Sequence, residues 1–171
     1  MKIKYHEPLG DPNNKQDPLP ENWRELATVA GVMPANFGVV EKGKLYRSAI
    51  VWPHQVNKLY KDFNICHIII LIDGDWLNQF YDDPKITIHQ FPYLQRKELT
   101  FERVKDIVGL ISSLKEPSLI CCLKGKTKTG MVAAGYEILN GRKSNLQAIT
   151  ESMRYGNMNI SSFSEIRRYR R

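Results

Sequence analysis

With 171 residues, 42% hydrophobic and 25% charged side chains, the chain has the make-up of one soluble globular domain with a real core, and it is too short for two of ordinary size. No apolar run approaches the roughly 20 residues of a membrane-spanning helix, and no apolar core follows Met1-Lys-Ile-Lys-Tyr-His6 as it would in a secretory leader. Three cysteines, two of them adjacent, cannot build a disulfide framework and point to a reducing compartment, so the cytoplasm is the expected location. The net charge of +7 calls for an acidic partner, and nucleic acid, anionic lipid or a phosphorylated small molecule would each qualify.

Along the chain, Pro8, Pro12, Pro18, Pro20 and Pro34 break residues 1–35 into turns and extended pieces. One short helix is expected over Glu21 to Ala30, and the segment as a whole reads as an N-terminal extension strapped over the domain. Phe37 to Ser48 makes two short strands around the turn Glu41-Lys-Gly-Lys44, ending in Leu45-Tyr-Arg-Ser-Ala-Ile50. From Pro53 the spacing turns helical, with Val56, Leu59, Tyr60 and Phe63 on one face. Cys66-His-Ile-Ile-Ile-Leu-Ile72 is a continuous apolar run, as in a central strand covered on both faces.

Asp73-Gly-Asp75 closes that strand and suits a turn. Trp76 to Asp83 is a short helix, Ile86 to Phe91 a further strand and Pro92 to Leu99 a polar loop. Thr100 is placed to cap a helix reaching Leu114, with Val104, Ile107, Val108 and Ile111 along its buried stripe. Ser118 to Cys121 is a strand; Thr129 to Leu139 and Asn145 to Tyr155 are helices split by Asn140-Gly141, and Phe163 to Arg171 is a last short helix. Strands alternating with helices predict an α/β domain with a central, mostly parallel sheet flanked by helices. Ligands bind such sheets beyond the carboxyl ends of the strands.

The loop after Cys121 is the stretch with an obvious chemistry. In Cys122-Leu-Lys-Gly-Lys-Thr-Lys-Thr-Gly130 a strand passes through a tight turn into a helix. That arrangement gathers backbone N–H groups and the positive end of a helix around one point, which suits a thiolate and a phosphate alike. Gly125 lets the backbone turn where a side chain would block it, and Lys124, Lys126 and Lys128 add three charges. A thiol is a nucleophile as its thiolate, and a helix N-terminus with nearby lysines favours that form at Cys122.

This stretch resembles the H-C-x-x-G-x-x-R-[ST]-G signature of the cysteine-dependent protein tyrosine and dual-specificity phosphatases. Cysteine, glycine and the Thr-Gly pair match in register. The resemblance extends over Asn36-Phe, Leu45-Tyr-Arg-Ser-Ala49, the following helix and apolar strand, the loop at Phe91-Pro92 and the helix Leu146 to Tyr155, an order similar to the small atypical members, among them the bacterial and fungal inositol-pyrophosphate phosphatases. It implies a dual-specificity-phosphatase-like fold over residues 36–171. It also implies that Cys122 attacks phosphorus to form a phosphocysteine and that Thr129 assists departure of the thiolate. The amides of Leu123, Lys124, Gly125, Lys126, Thr127 and Lys128 would then hold the phosphate oxygens, and no cofactor is needed.

Three positions depart from that pattern. Cys121 replaces the histidine before the nucleophile. Lys128 replaces the arginine, keeping the charge and losing the planar fork that holds two oxygens. Gln95 falls where the general acid aspartate is expected, and loss of general acid catalysis costs about 10²–10⁴-fold in rate. Glu98, in the same loop, is the preferred substitute for the acid, and its ordinary alternative is a solvated carboxylate ahead of Thr100. Arg96 and Lys97 face the signature and, with Lys124 and Lys126, would make a cationic rim for a polyanionic substrate.

The remaining features have plainer readings. Cys121, Cys66 and the isoleucine run are core. Arg142-Lys143 and the Arg167 to Arg171 cluster are solvated ends. His6, His54, His67 and His89 lack metal-ligand spacing, so no metal is expected. Trp52-Pro53 stands before a helix, in the wrong order for an acid loop. Two functions follow: a phosphatase with weakened activity, or a binding module that captures a phosphorylated ligand without turning it over. Nucleic-acid binding is disfavoured, because basic and aromatic residues are not interleaved.

Overall fold

The computed structural model describes residues 2–5, 31–72, 85–91, 99–156 and 160–169. The expected helices at Glu21 to Ala30 and Trp76 to Asp83, Asp73 and Asp75, the loop residues Gln95, Arg96, Lys97 and Glu98, and the terminal Arg170-Arg171 lie outside the described residues. Six strands form one sheet in the order β1-β5-β4-β6-β3-β2: β1 Lys2–Tyr5, β2 Gly38–Glu41, β3 Leu45–Ala49, β4 His67–Ile70, β5 Thr87–Gln90 and β6 Ser118–Cys122. Every pairing is parallel except the β2·β3 hairpin at one edge. The described helices are α1 Pro53–Phe63, α2 Phe101–Ser113, α3 Thr127–Leu139, α4 Asn145–Met153 and α5 Ile160–Ile166.

The sheet is the α/β core that the alternation of strands and helices requires. Ile68, Ile69 and Ile70 of β4 and Leu119 and Ile120 of β6 are all fully buried, so both faces of the central strands are covered. In α2, Val104, Ile107 and Ile111 are likewise fully buried and Val108 nearly so; each such side chain contributes roughly 1.5–3 kcal/mol on leaving water. α3 is the central helix, with every residue from Thr129 to Ile138 buried against β6, α2 and α4. A helix apolar nearly all round belongs in the interior, and α3 sets the position of everything at its N-terminus.

Local chemistry fixes the helix ends. Pro53 opens α1, and the Trp52 amide donates to Gln55 Oε1 at 2.9 Å. Asn64, in the left-handed region at φ 54°, closes it. Ser144 accepts from the Gln147 amide and caps α4.

Several expectations need correction. Thr100 stands at the N-cap of α2, but its hydroxyl makes no capping bond; the Phe101 amide instead donates to Glu165 Oε1 at 3.1 Å, which ties α5 to α2. The last helix runs over Ile160–Ile166, not Phe163 to Arg171, and α3 begins two residues earlier than Thr129. Lys2–Tyr5, read as turn or extended chain, pairs with β5 as an edge strand. Cys66 is half-buried with its thiol donating to Asn64 O at 3.4 Å, so it is a rim residue and not core. Lys143 is not a solvated end but bridges Glu137 and Glu151, whereas Arg142 is exposed as expected and pairs with Glu41 at 2.6 Å.

Candidate active site

β6 lies between β3 and β4, and its last residue, Cys122, is level with Ala49 of β3. The cysteine therefore ends a central parallel strand, beyond whose carboxyl end this class of sheet leaves room for a ligand. Cys122 is 6% exposed and Cys121 fully buried. Burial pushes the Cys121 thiol well above its ordinary range, which leaves it an inert core group.

The loop from Leu123 to Lys126 is seated on the end of β3. Gly125 has φ +64°, and a Cβ there would stand 2.4 Å from the Ala49 nitrogen and 2.5 Å from the Ser48 carbonyl carbon. Glycine alone tolerates both the left-handed conformation and that approach of two backbones.

Three successive loop carbonyls are tied to one side. Leu123 O accepts from the Ile50 amide at 3.4 Å, Lys124 O from Asn36 Nδ2 at 2.8 Å and Gly125 O from the Arg47 guanidinium at 2.9 Å. A trans peptide carries its C=O and N–H on opposite edges, so these ties turn the amides of Lys124, Gly125 and Lys126 the other way. Successive amides turned to one side form an anion-binding nest. The Gly125 amide is partly occupied by Cys122 O at 3.3 Å, which closes the turn.

The sequence after the loop supplies the helix. α3 starts at Thr127 with Gly130 N donating to Lys126 O at 2.9 Å, and its N-terminal turn points its partial positive charge toward the loop. Thr129 is fully buried in that first turn, and its hydroxyl has no hydrogen-bond partner in the described structure. A buried hydroxyl without a partner is costly and uncommon. Of the loop lysines, Lys124 and Lys126 are exposed and Lys128 is half-buried.

The structure thus brings Cys122, Leu123, Lys124, Gly125, Lys126, Thr127, Lys128 and Thr129 together on one strand-loop-helix unit. Gln95, Arg96, Lys97 and Glu98 lie outside the described residues. Sequence reasoning assigned no role to Asn36 and Arg47, which hold two of the three carbonyls. Both lie in stretches that carry the resemblance, Asn36-Phe37 and Leu45-Tyr-Arg-Ser-Ala49. A guanidinium within the otherwise uncharged Leu45-Tyr-Arg-Ser-Ala-Ile-Val51 was the available signal, since a charge inside a buried strand needs a partner. Asn36 reaches its carbonyl from a left-handed backbone at φ 52°, held by Phe37 against the rings of Tyr46 and Phe63 at 5.8 and 4.8 Å.

Among the described residues no group of three or more His, Cys, Asp or Glu side chains is arranged to hold a metal ion. His67 Nδ1 and His89 Nε2 lie 3.1 Å apart, with Glu116 3.3 Å from His67, but His67 begins β4, at the end of that strand away from Cys122. No described helix is long and apolar enough to cross a membrane.

No family model matches the sequence, nor does any curated protein. Solved structures do. The core catalytic domain of the PP-IP phosphatase SIW14 from S. cerevisiae, in complex with citrate, superposes with a TM-score of 0.70 at 20% identity, over 80% of this chain and 87% of that one. A variant of P. aeruginosa TpbA in complex with pTyr gives 0.69 at 18% identity, over 79% of this chain and 84% of that one. DUSP15 gives 0.64 at 14% identity, over 77% and 85%. The chain has the fold shared by these small phosphatase domains.

Proposed function

We propose that the chain is a cysteine-dependent phosphatase of the dual-specificity type, with activity weakened by Lys128 and Gln95. The observation that carries this reading is the nest itself: Leu123, Lys124 and Gly125 carbonyls tied away from a run of amides that follows Cys122 and leads into α3. A nest around a cysteine sulfur serves phosphoryl transfer, because it stabilises the charge on the equatorial oxygens while the thiolate attacks in line.

In this reading the Cys122 thiolate forms an S–P bond as the P–O bond to the leaving group breaks. The leaving oxygen takes a proton from Glu98 or, for an acidic leaving group, departs as the anion. Water then attacks phosphorus, the S–P bond breaks, and phosphate leaves. The Thr129 hydroxyl, buried and without another partner, donates to the departing thiolate. Lys128 supplies charge without the fork of an arginine, so transition-state binding falls more than ground-state attraction. The substrate class is a phosphoester or phosphoanhydride on a polyanionic carrier. The Lys124 and Lys126 rim supports an inositol polyphosphate, a class consistent with the PP-IP phosphatase activity of SIW14.

Lys128 in place of the arginine also supports a second reading, in which the nest captures a phosphorylated ligand without turnover. One experiment separates them. Purified protein is expected to release phosphate slowly from an activated aryl phosphate, and Cys122→Ser to abolish that release while inorganic phosphate still binds. Equal background rates from both proteins, with phosphate binding intact, would establish the binding module and end the enzyme reading.

A further inference from the structure

We infer that Arg47 is the positioning residue of the phosphate nest, fixing the Gly125 peptide and supplying a buried positive charge beneath the loop that carries part of the role an arginine would play at Lys128. The inference rests on the phosphate-loop reading above and extends it to a residue outside the loop. Arg47 belongs to β3, not to the loop, and is 2% exposed. Its guanidinium donates to Gly125 O at 2.9 Å. By the geometry of the trans peptide, that bond directs the Lys126 amide away from Arg47 and into the nest.

The guanidinium is held on its other side by the Tyr155 ring, with the ring centroid 3.9 Å from Arg47 Cζ. Tyr155 is itself confined, since a Cβ on Gly38 would stand 2.1 Å from its hydroxyl. β2, β3 and the residues after α4 thus clamp one cation. No carboxylate is in ion-pair contact with Arg47 among the described residues, and its Nε has no hydrogen-bond partner. A buried cation held by a carbonyl and an aromatic face, with one N–H still unpartnered, keeps its charge available to an anion nearby. Burial lowers its pKa to about 10, opposed in part by the fields of Glu137 and Glu151, so it stays charged at neutral pH.

The test uses the full chain and inorganic phosphate. Alkylation of Cys122 by iodoacetamide is followed by mass spectrometry, which separates it from Cys66, and the phosphate concentration that halves the rate is measured beside thermal melting. Arg47→Gln, which removes the charge and keeps a donor, is expected to weaken phosphate protection by roughly ten-fold, the worth of one charge-assisted contact. Arg47→Lys keeps the charge and is expected to restore most of that loss despite a similar fall in melting temperature. A purely structural Arg47 would instead lower both melting temperatures and leave phosphate protection within about two-fold of wild type, which overturns the inference, as would an Arg47→Lys protein as weak as Arg47→Gln. Should Arg47→Gln fail to fold, Tyr155→Leu takes its place: it opens the guanidinium to water and is expected to weaken protection by about three-fold, and unchanged protection overturns the inference. Wild type that phosphate does not protect at all would sink the phosphate-loop reading together with this one, whereas protected wild type with indifferent variants would remove Arg47 alone.

Discussion

Two cations near opposite ends of α3 are treated in opposite ways. Arg47, under the loop at the helix N-terminus, is held by the Gly125 carbonyl and the Tyr155 ring. Lys143, beyond the helix C-terminus, sits between the carboxylates of Glu137 and Glu151, with 27% of its side chain exposed. Burial works against the Lys143 charge, but the hydrogen bonds and fields of the two carboxylates outweigh it and hold its pKa above the ordinary value. A cation neutralised by two carboxylates is a structural tie. One left with a carbonyl and a ring still projects its charge, and that difference separates the arginine proposed to act on a ligand, in β3, from a lysine that ties α3 to α4.

The largest effect should come from Gly125→Ala, which attacks the Arg47 end. The added Cβ would meet backbone at 2.4 Å, which cannot swing aside as a side chain can, and φ is +64°. The loop has to lift, taking Gly125 O off the guanidinium and leaving a buried charge without a hydrogen bond. We expect a loss of about 2–4 kcal/mol in urea denaturation and loss of phosphate protection at Cys122. Stability within about 0.5 kcal/mol of wild type would show that the loop is not seated on β3 as described.

The Lys143 end breaks differently. Lys143→Met leaves Glu137, whose side chain is 6% exposed, with its charge unpaired and should cost about 2 kcal/mol, while phosphate protection stays as in wild type. Adding Glu137→Gln should recover most of that loss. The pH dependence has a definite sign. Burial holds the Glu137 carboxyl above its ordinary value, against the pull of Lys143, so between the unfolded and folded pKa values the folded state binds more protons than the unfolded chain. Stability then falls as pH rises from the unfolded toward the folded pKa. Lys143→Met should steepen that fall and Glu137→Gln remove it. A Lys143→Met protein that loses phosphate protection as Arg47→Gln does would erase the contrast between the two cations.

Much of this was readable from residue order. The apolar run at Ile68 to Ile70 and the stripe Val104, Ile107, Val108 and Ile111 each follow from spacing, because burial on a strand or helix face leaves a periodic trace. Contacts made across the fold leave none. Asn36 and Lys124 are 88 residues apart in sequence, and Arg47 and Gly125 are 78 apart, so no local pattern joins them. The same limit applies to Thr100, where the local rule expected a hydroxyl cap and a carboxylate 64 positions beyond Phe101 took the place. Arg142 and Lys143 read as a solvated basic pair because their partners Glu41 and Glu137 are assembled only by the hairpin and α3.

The smallest expected effect lies at the outer rim of the Lys143 end. The Tyr136 hydroxyl donates to Glu41 Oε2 at 2.6 Å, and Arg142 pairs with the other oxygen of that carboxylate at 2.6 Å. The hydroxyl, foremost, and then Arg142 hold the Glu41 carboxyl below its ordinary range, overcoming the opposing effect of burial. Tyr136→Phe keeps the buried ring and removes the donor, so it should cost about 1 kcal/mol at neutral pH, with Arg142 retaining its share. Because the folded pKa is depressed, the contribution is present above the unfolded value and is lost as pH falls through the folded one. Urea denaturation of the two proteins should therefore differ at neutral pH and converge in acid, once Glu41 is protonated in both states. A deficit that persists unchanged into acid would place the loss in packing around the ring and not in the carboxylate, and the rim would then owe nothing to charge.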